Sequence, residues 1–270
     1  MSGLLETYRG VVLASECDTF GHLNIAYYVE RFADAAQDFL ARRAPGLRWR
    51  TLALSTRYER EYRAGEGIVV ESGLLGVEPT AARIAHRATS SATGERTTLA
   101  EHVLAPAAGV LPALGTVFAW ETPPFAPLEL PAGNGVIPSG RDRVKAAEAD
   151  DGQLSLLGFL QRFSGACMQV IEAIGMDEAY RRAAACGFST IETRLAIEEA
   201  PALGEGVVVA SDILSIGTSS LRMVHRMRNA ADGRPLAHFY QAGVQLDLAA
   251  RRPSPWPNEL REKATSLRIA

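Results

Sequence analysis

Cysteine is scarce in this chain: Cys17, Cys167 and Cys186 are the only three in 270 residues. An odd, sparse set without a CxxC pair argues against a disulfide framework and a structural zinc site, and fits reduced thiols in the cytoplasm. A basic block is also missing, and the net charge is −3, so nucleic acid is not expected as the main partner. No apolar run approaches the ~20 residues that span a bilayer, so no membrane association is expected. The opening MSGLLETYRG lacks the basic stretch and apolar core of a signal peptide. No GxGxxG or Walker loop occurs, so no nucleotide cofactor is indicated, and no bound cofactor or metal is expected. What remains is 47% hydrophobic and 22% charged, a globular balance in a chain long enough for two domains.

The main organising feature is an internal repeat. GEGIVVESGLLGV at 65–77 returns as GEGVVVASDILSI at 204–216. The match continues without a gap, taking Arg83 to Arg222, His86 to His225 and Arg87 to Arg226. Upstream, GHLNIAYYVERFADA at 21–35 matches GQLSLLGFLQRFSGA at 152–166. The two offsets differ because the second half carries extra residues around 176–187, between its helix and the next strand.

Each half has one grammar. A short strand is predicted at 8–16 and again near 143–149. A helix follows in each. In the first, Asn24 is placed to cap it and apolar residues recur from Ile25 to Leu40 at helical spacing. In the second, Ser155 is the cap, the stripe runs from Leu156 to Ile174, and Gly175 ends it. Strands are predicted next at 68–78, 82–90 and 97–104, with TGER at 93–96 as a turn, and at 207–216, 221–229 and 236–248, with ADGR at 231–234 as a turn. One wide-faced helix followed by several strands indicates an α+β fold. The expected boundaries are a first domain at 1–105, a linker rich in proline, glycine and alanine at 106–142, a second domain at 143–250, and a surface tail at 251–270.

The stretch ECDTFGHLNIAYYVERF at 16–32 resembles the hotdog thioesterases of the 4-hydroxybenzoyl-CoA thioesterase type: Asp, two residues, Gly, His, one residue, Asn, then a tyrosine-rich helix start. The duplication is similar to that of plant and bacterial acyl-ACP thioesterases, although those tend to have Asn where Phe20 stands. The resemblance implies two tandem hotdog domains, each a long helix wrapped by a curved antiparallel sheet, which usually work as a pair. It also implies hydrolysis of an acyl-CoA thioester, or alternatively an acyl-ACP thioester, with coenzyme A or the acyl carrier entering as part of the substrate. Asp18 then matches the carboxylate that attacks the carbonyl or activates water. The Ile25 backbone amide matches the donor that polarises the carbonyl, and a free helix-start amide at the positive end of the dipole suits an oxyanion. Gly21 permits the tight turn between them.

Each residue also has a plainer reading. Asp18 can simply cap a turn. His22 can move a proton, position a neighbour, or only hydrogen-bond in the loop. Asn24 reads best as a helix cap, and Tyr27 and Tyr28 as core and pocket wall. Glu30 and Asp34, one turn apart, read as a solvated helix face, and Cys17 lacks an activating histidine. Arg83, His86 and Arg87 are candidates for the coenzyme A phosphates, against the alternative of strand surface charge. In the second half His22 becomes Gln153 and Asn24 becomes Ser155, while Asp150 aligns with Asp18 only across a turn one residue shorter. One good site and one degenerate site are therefore expected. A hydratase or dehydratase is a competing function, but no GDxNPxH-like run occurs. A non-catalytic thioester-binding module is another. A homo-oligomer through sheet edges or helix faces is compatible with the sequence.

Overall fold

In a computed structural model of the protein, which describes residues 3–120, 125 and 129–268, the first apolar stripe folds as helix α1 (Ile25–Ala41). Its buried side chains, among them Val29, Phe32, Ala36, Phe39 and Leu40, recur every three or four residues, which puts them on one face. That face meets an antiparallel sheet of strands β1 (Leu5–Val11), β2 (Trp49–Tyr58), β3 (Gly67–Val77), β4 (Ala82–Ser90) and β5 (Arg96–Pro106), ordered β1-β3-β4-β5-β2. Ala36, Phe39 and Leu40 pack against Trp49, Leu74, Ile84 and Leu104. Burial of each large side chain in such a core contributes about 2 kcal/mol.

The chain divides into two units, Met1–Leu128 and Glu129–Ala270, and the second repeats the plan of the first. Strand β6 (Ile137–Arg143) leads to a two-residue hairpin of β7 (Ala149–Asp150) and β8 (Gln153–Leu154), and then to α2 (Leu156–Ala173). The extra residues form the short helix α3 (Glu178–Ala183). Strands β9 (Cys186–Ile197), β10 (Gly206–Ile216), β11 (Ser220–Asn229) and β12 (Pro235–Asp247) follow, so that the unit's antiparallel order is β9-β12-β11-β10-β6. Each unit is thus one long helix on one face of an antiparallel sheet, the arrangement implied by the hotdog resemblance.

Several expectations need correction. The first strand ends at Val11 and is followed by a 3-10 turn at Ala14–Glu16, not by strand through residue 16. The second half's first strand starts at Ile137, inside the predicted linker. The parts of that linker at 121–124 and 126–128 lie outside the described residues, but Leu114 is buried in the first unit's core, and the Phe118 N–H donates to the Leu74 carbonyl at 2.9 Å. Strands β2 and β9 are additional to the strands that the sequence pattern predicts. Nor is the tail a surface appendage: β13 (Arg252–Pro253) pairs with β12, and α4 (Asn258–Ser266) follows. Trp256, Leu260 and Ala264 are buried against Ile171, Ile174 and Ile213. Among the described residues no helix is long and apolar enough to cross a membrane.

Candidate functional site

The loop before α1 is built around the Asp18 side chain. Cys17 and Leu23 pair as an antiparallel bridge, and between them the Asp18 N–H donates to the His22 carbonyl at 2.7 Å. Gly21 sits at φ +76°, a backbone conformation costly for other residues. Asp18 Oδ1 accepts the N–H groups of Phe20 at 2.8 Å and His22 at 3.0 Å. One carboxylate oxygen therefore closes the loop, and Oδ2 makes no hydrogen bond among the described residues. Asn24 is the helix cap, its Oδ1 accepting the Ala26 N–H at 3.0 Å. The Ile25 amide, at the first helical position, has no acceptor among the described residues. It is an oriented donor at the positive end of α1.

His22 is 4% exposed, and its Nδ1 lies 3.3 Å from Glu61 Oε2. A carboxylate in that position favours a proton on Nδ1 and fixes the ring's orientation. Glu61 was not singled out in the sequence. It follows β2, 39 positions from His22, and only backbone pairing brings the two together: His22 bridges Arg63, and the Leu23 N–H donates to the Tyr62 carbonyl at 2.8 Å. Tyr28 is a scaffold residue. Its hydroxyl accepts the Tyr62 N–H at 3.0 Å, its ring meets Tyr58 edge-on at 5.1 Å, and burial pushes its phenol well up. Beneath the loop, buried Arg31 donates to Glu16 Oε2 at 2.7 Å and to the Tyr27 carbonyl at 2.9 Å. Burial raises the carboxyls of Glu30 and Asp34, and Glu30 also feels Asp34. The Cys17 thiol is raised by burial, which disfavours a nucleophilic thiolate.

The second unit keeps this scaffold and changes the loop. Arg162 bonds Glu148 at 3.0 Å, as Arg31 bonds Glu16. Ser155 Oγ caps α2 by accepting the Gly158 N–H at 3.1 Å. Asp150 and Gln153 face each other across the hairpin, with Asp151 and Gly152 both at positive φ. This is a two-residue turn where the first unit has three. Asp150 and Gln153 are exposed, and the Asp150 side chain makes no hydrogen bond among the described residues. The charge and the ring that the first unit orients are here a solvent-facing carboxylate and an amide.

Arg83, His86 and Arg87 do not form one cluster. Strand periodicity turns residues 83 and 87 to one face of β4 and residue 86 to the other. Arg83 bonds Glu101 and Arg87 bonds Glu71. His86 is fully buried, with Nδ1 2.7 Å from Ser72 Oγ and its ring stacked on Phe32 at 5.4 Å. It cannot reach a coenzyme A phosphate, so the three-residue reading is corrected. The duplicates behave alike: His225 is buried on Ser211 at 2.6 Å, and Arg226 bonds Asp212 and the Pro131 carbonyl.

The model of the thioesterase-like superfamily matches residues 12–107 and 151–264, one segment in each unit. No curated protein matches the sequence. Among solved structures, the chain is similar to an acyl-ACP thioesterase from Bacteroides thetaiotaomicron at 12% identity and a TM-score of 0.66, covering 89% of this chain and 98% of that one. It is also similar to a 12:0-ACP thioesterase from Umbellularia californica at 10% identity and a TM-score of 0.65, covering 90% and 94%. At such identities these likenesses speak to the fold, a tandem of two hotdogs.

Proposed function

Because the chain belongs to the thioesterase-like superfamily, and is therefore a thioester hydrolase, we propose that it hydrolyses an acyl-CoA thioester at the loop before α1 of its first unit. The reading rests above all on one juxtaposition: a carboxylate held by its own loop amides, immediately before a helix whose first amide is unpaired. In this reading Asp18 Oδ2 takes a proton from water as the water oxygen bonds to the thioester carbonyl carbon. The Ile25 N–H receives the developing oxyanion, a contribution of roughly 3 kcal/mol to barrier lowering for one such donor. When the C–S bond breaks, the electron pair leaves on sulfur. The proton follows to give free thiol and acid, and we assign its transfer to His22, whose ring Glu61 steadies at 3.3 Å.

An acyl-ACP thioester presents the same carbonyl and the same leaving sulfur, so the carrier is a variable of the test. Either substrate is consistent with a cytoplasmic protein and its three unpaired cysteines. The experiment is thiol release from a panel of acyl-CoA and acyl-ACP thioesters by the wild type and Asp18→Asn. A loss of at least tenfold in the variant supports the reading. Silence of the wild type on the whole panel would overturn it.

A further inference from the structure

The duplication lets the two sheets be compared position by position on the face that meets the long helix. In the first unit, Thr56, Ala100, His86 and Ser72 are direct cross-strand neighbours, and Phe32 of α1 stacks on His86. The same rung in the second unit reads Leu195, Phe239, His225 and Ser211. There Phe239 fills the middle, stacked 5.1 Å from Phe163 and 6.1 Å from His225. The next rung repeats the contrast, with Thr98 and Ala88 against Ala237 and Met227.

The first unit therefore has two alanines and two threonines where the second has larger or apolar side chains. Around those alanines lie three buried polar atoms without a hydrogen bond, Thr56 Oγ1, Thr98 Oγ1 and His86 Nε2, while His102 is held by Thr51 Oγ1, 2.8 Å from its Nε2, and by the Phe32 carbonyl. In the second unit the position of His102 is taken by Gln241, which bonds His225, and among the described residues no threonine hydroxyl is left unpaired there. Leaving buried hydroxyls and ring nitrogens unpaired is costly. The second unit shows that this fold closes without the threonines.

We propose that this patch is a specificity subsite, taking an uncharged hydrogen-bonding group, a hydroxyl or carbonyl, carried on the acyl chain of the thioester. The inference rests on the thioesterase reading above. Burial lowers the pKa of His102 to about 3, against a smaller opposing pull from the Phe32 carbonyl, and lowers that of His86 well below its ordinary value. Both rings are neutral near pH 7, and His86 offers one donor or acceptor at Nε2, which suits a neutral group and not a carboxylate or ammonium. Phe32 lies seven residues along α1 from Ile25, or ~10 Å at 1.5 Å per residue, so the polar group belongs some way down the chain from the carbonyl. The patch is closed in this structure. Half-buried Tyr58 is the cross-strand neighbour of Thr98 and the ring partner of Tyr28.

The test is kcat/KM for thiol release from acyl-CoAs matched in length, plain or with a single hydroxyl at successive chain positions. The wild type is expected to favour the hydroxylated thioester at least tenfold at one position. Ala100→Phe, which installs the second unit's residue, and the milder Thr98→Ala should both bring that ratio toward one. A general folding defect lowers both members of a pair and leaves the ratio alone. Should Ala100→Phe fail to melt cooperatively, Thr98→Ala carries the test. A wild type that releases thiol with no preference at any position overturns this inference alone, as does a ratio unchanged in Thr98→Ala. No thiol from any thioester overturns the hydrolase reading, and this inference with it.

Discussion

At the scale of single residues, Asp18 has two roles that a pair of substitutions separates. Asn retains an Oδ1 that can accept the Phe20 and His22 amides, so Asp18→Asn keeps the turn and removes the charge. Ala removes both. If the charge does the chemistry, Asp18→Asn is expected to lose at least tenfold in kcat/KM, about 1.4 kcal/mol or more, with a melting temperature close to wild type. Asp18→Ala should lose as much activity and an additional ~1 kcal/mol of stability for the lost side-chain bonds. Activity retained in Asn and lost only in Ala would reduce Asp18 to a turn cap. The sequence made this loop legible because turn, glycine and helix cap are contiguous, and each has a local residue preference. Glu61 was not legible, because its place beside His22 depends on pairing between segments far apart in the chain. His86 differs for a related reason: proximity in sequence groups it with Arg83 and Arg87, whereas the period of a strand sends it to the opposite face.

At the scale of elements, the repeat carried most of the legible information. α1, α2 and the three strands after position 65, with their duplicates after position 204, came out within a few residues because each pattern was seen twice. β2, TLALSTRY in its last eight residues, escaped because its polar and apolar residues alternate unevenly around a bulge between Thr51 and Ala53. The tail escaped because its charged residues and prolines outnumber the few apolar side chains that anchor it. Trp256 is 3% exposed in the second unit's core and follows the short β13 pairing. Trp256→Ala is therefore expected to cost about 3 kcal/mol, the low end for removing a large buried aromatic. A urea melt is the check. A midpoint unchanged from wild type would mean that the tail only rests on the surface, as its composition suggests.

At the scale of the whole molecule, the two units keep one scaffold and diverge in what they expose. Since Asp150 and Gln153 face solvent where Asp18 and His22 are held, Asp150→Asn should change turnover less than twofold, while Asp18→Asn changes it at least tenfold. Equal losses would mean two working sites in each chain. The buried histidines make a second prediction about the fold. His86, His102 and His225 are all fully buried, and burial lowers each pKa, to about 3 for His102 and His225. Above the unfolded value near 6.5 each ring is neutral in both states and adds no pH dependence. Below it the unfolded chain takes up protons that the folded chain refuses, so stability falls as the pH drops from ~6.5 toward ~3. The slope is about 1.4 kcal/mol per pH unit for each histidine. The melting temperature should therefore fall steadily between pH 6 and pH 4. His102→Gln removes one of the three titrating rings and installs the residue that the second unit carries at Gln241, where the same fold accepts it. Its stability should decline less steeply over that range, by one histidine's share of the slope. Parallel curves for wild type and variant would show that His102 takes its proton in the folded state as readily as in the unfolded chain, and that the buried row of polar side chains opens to water at mild acid.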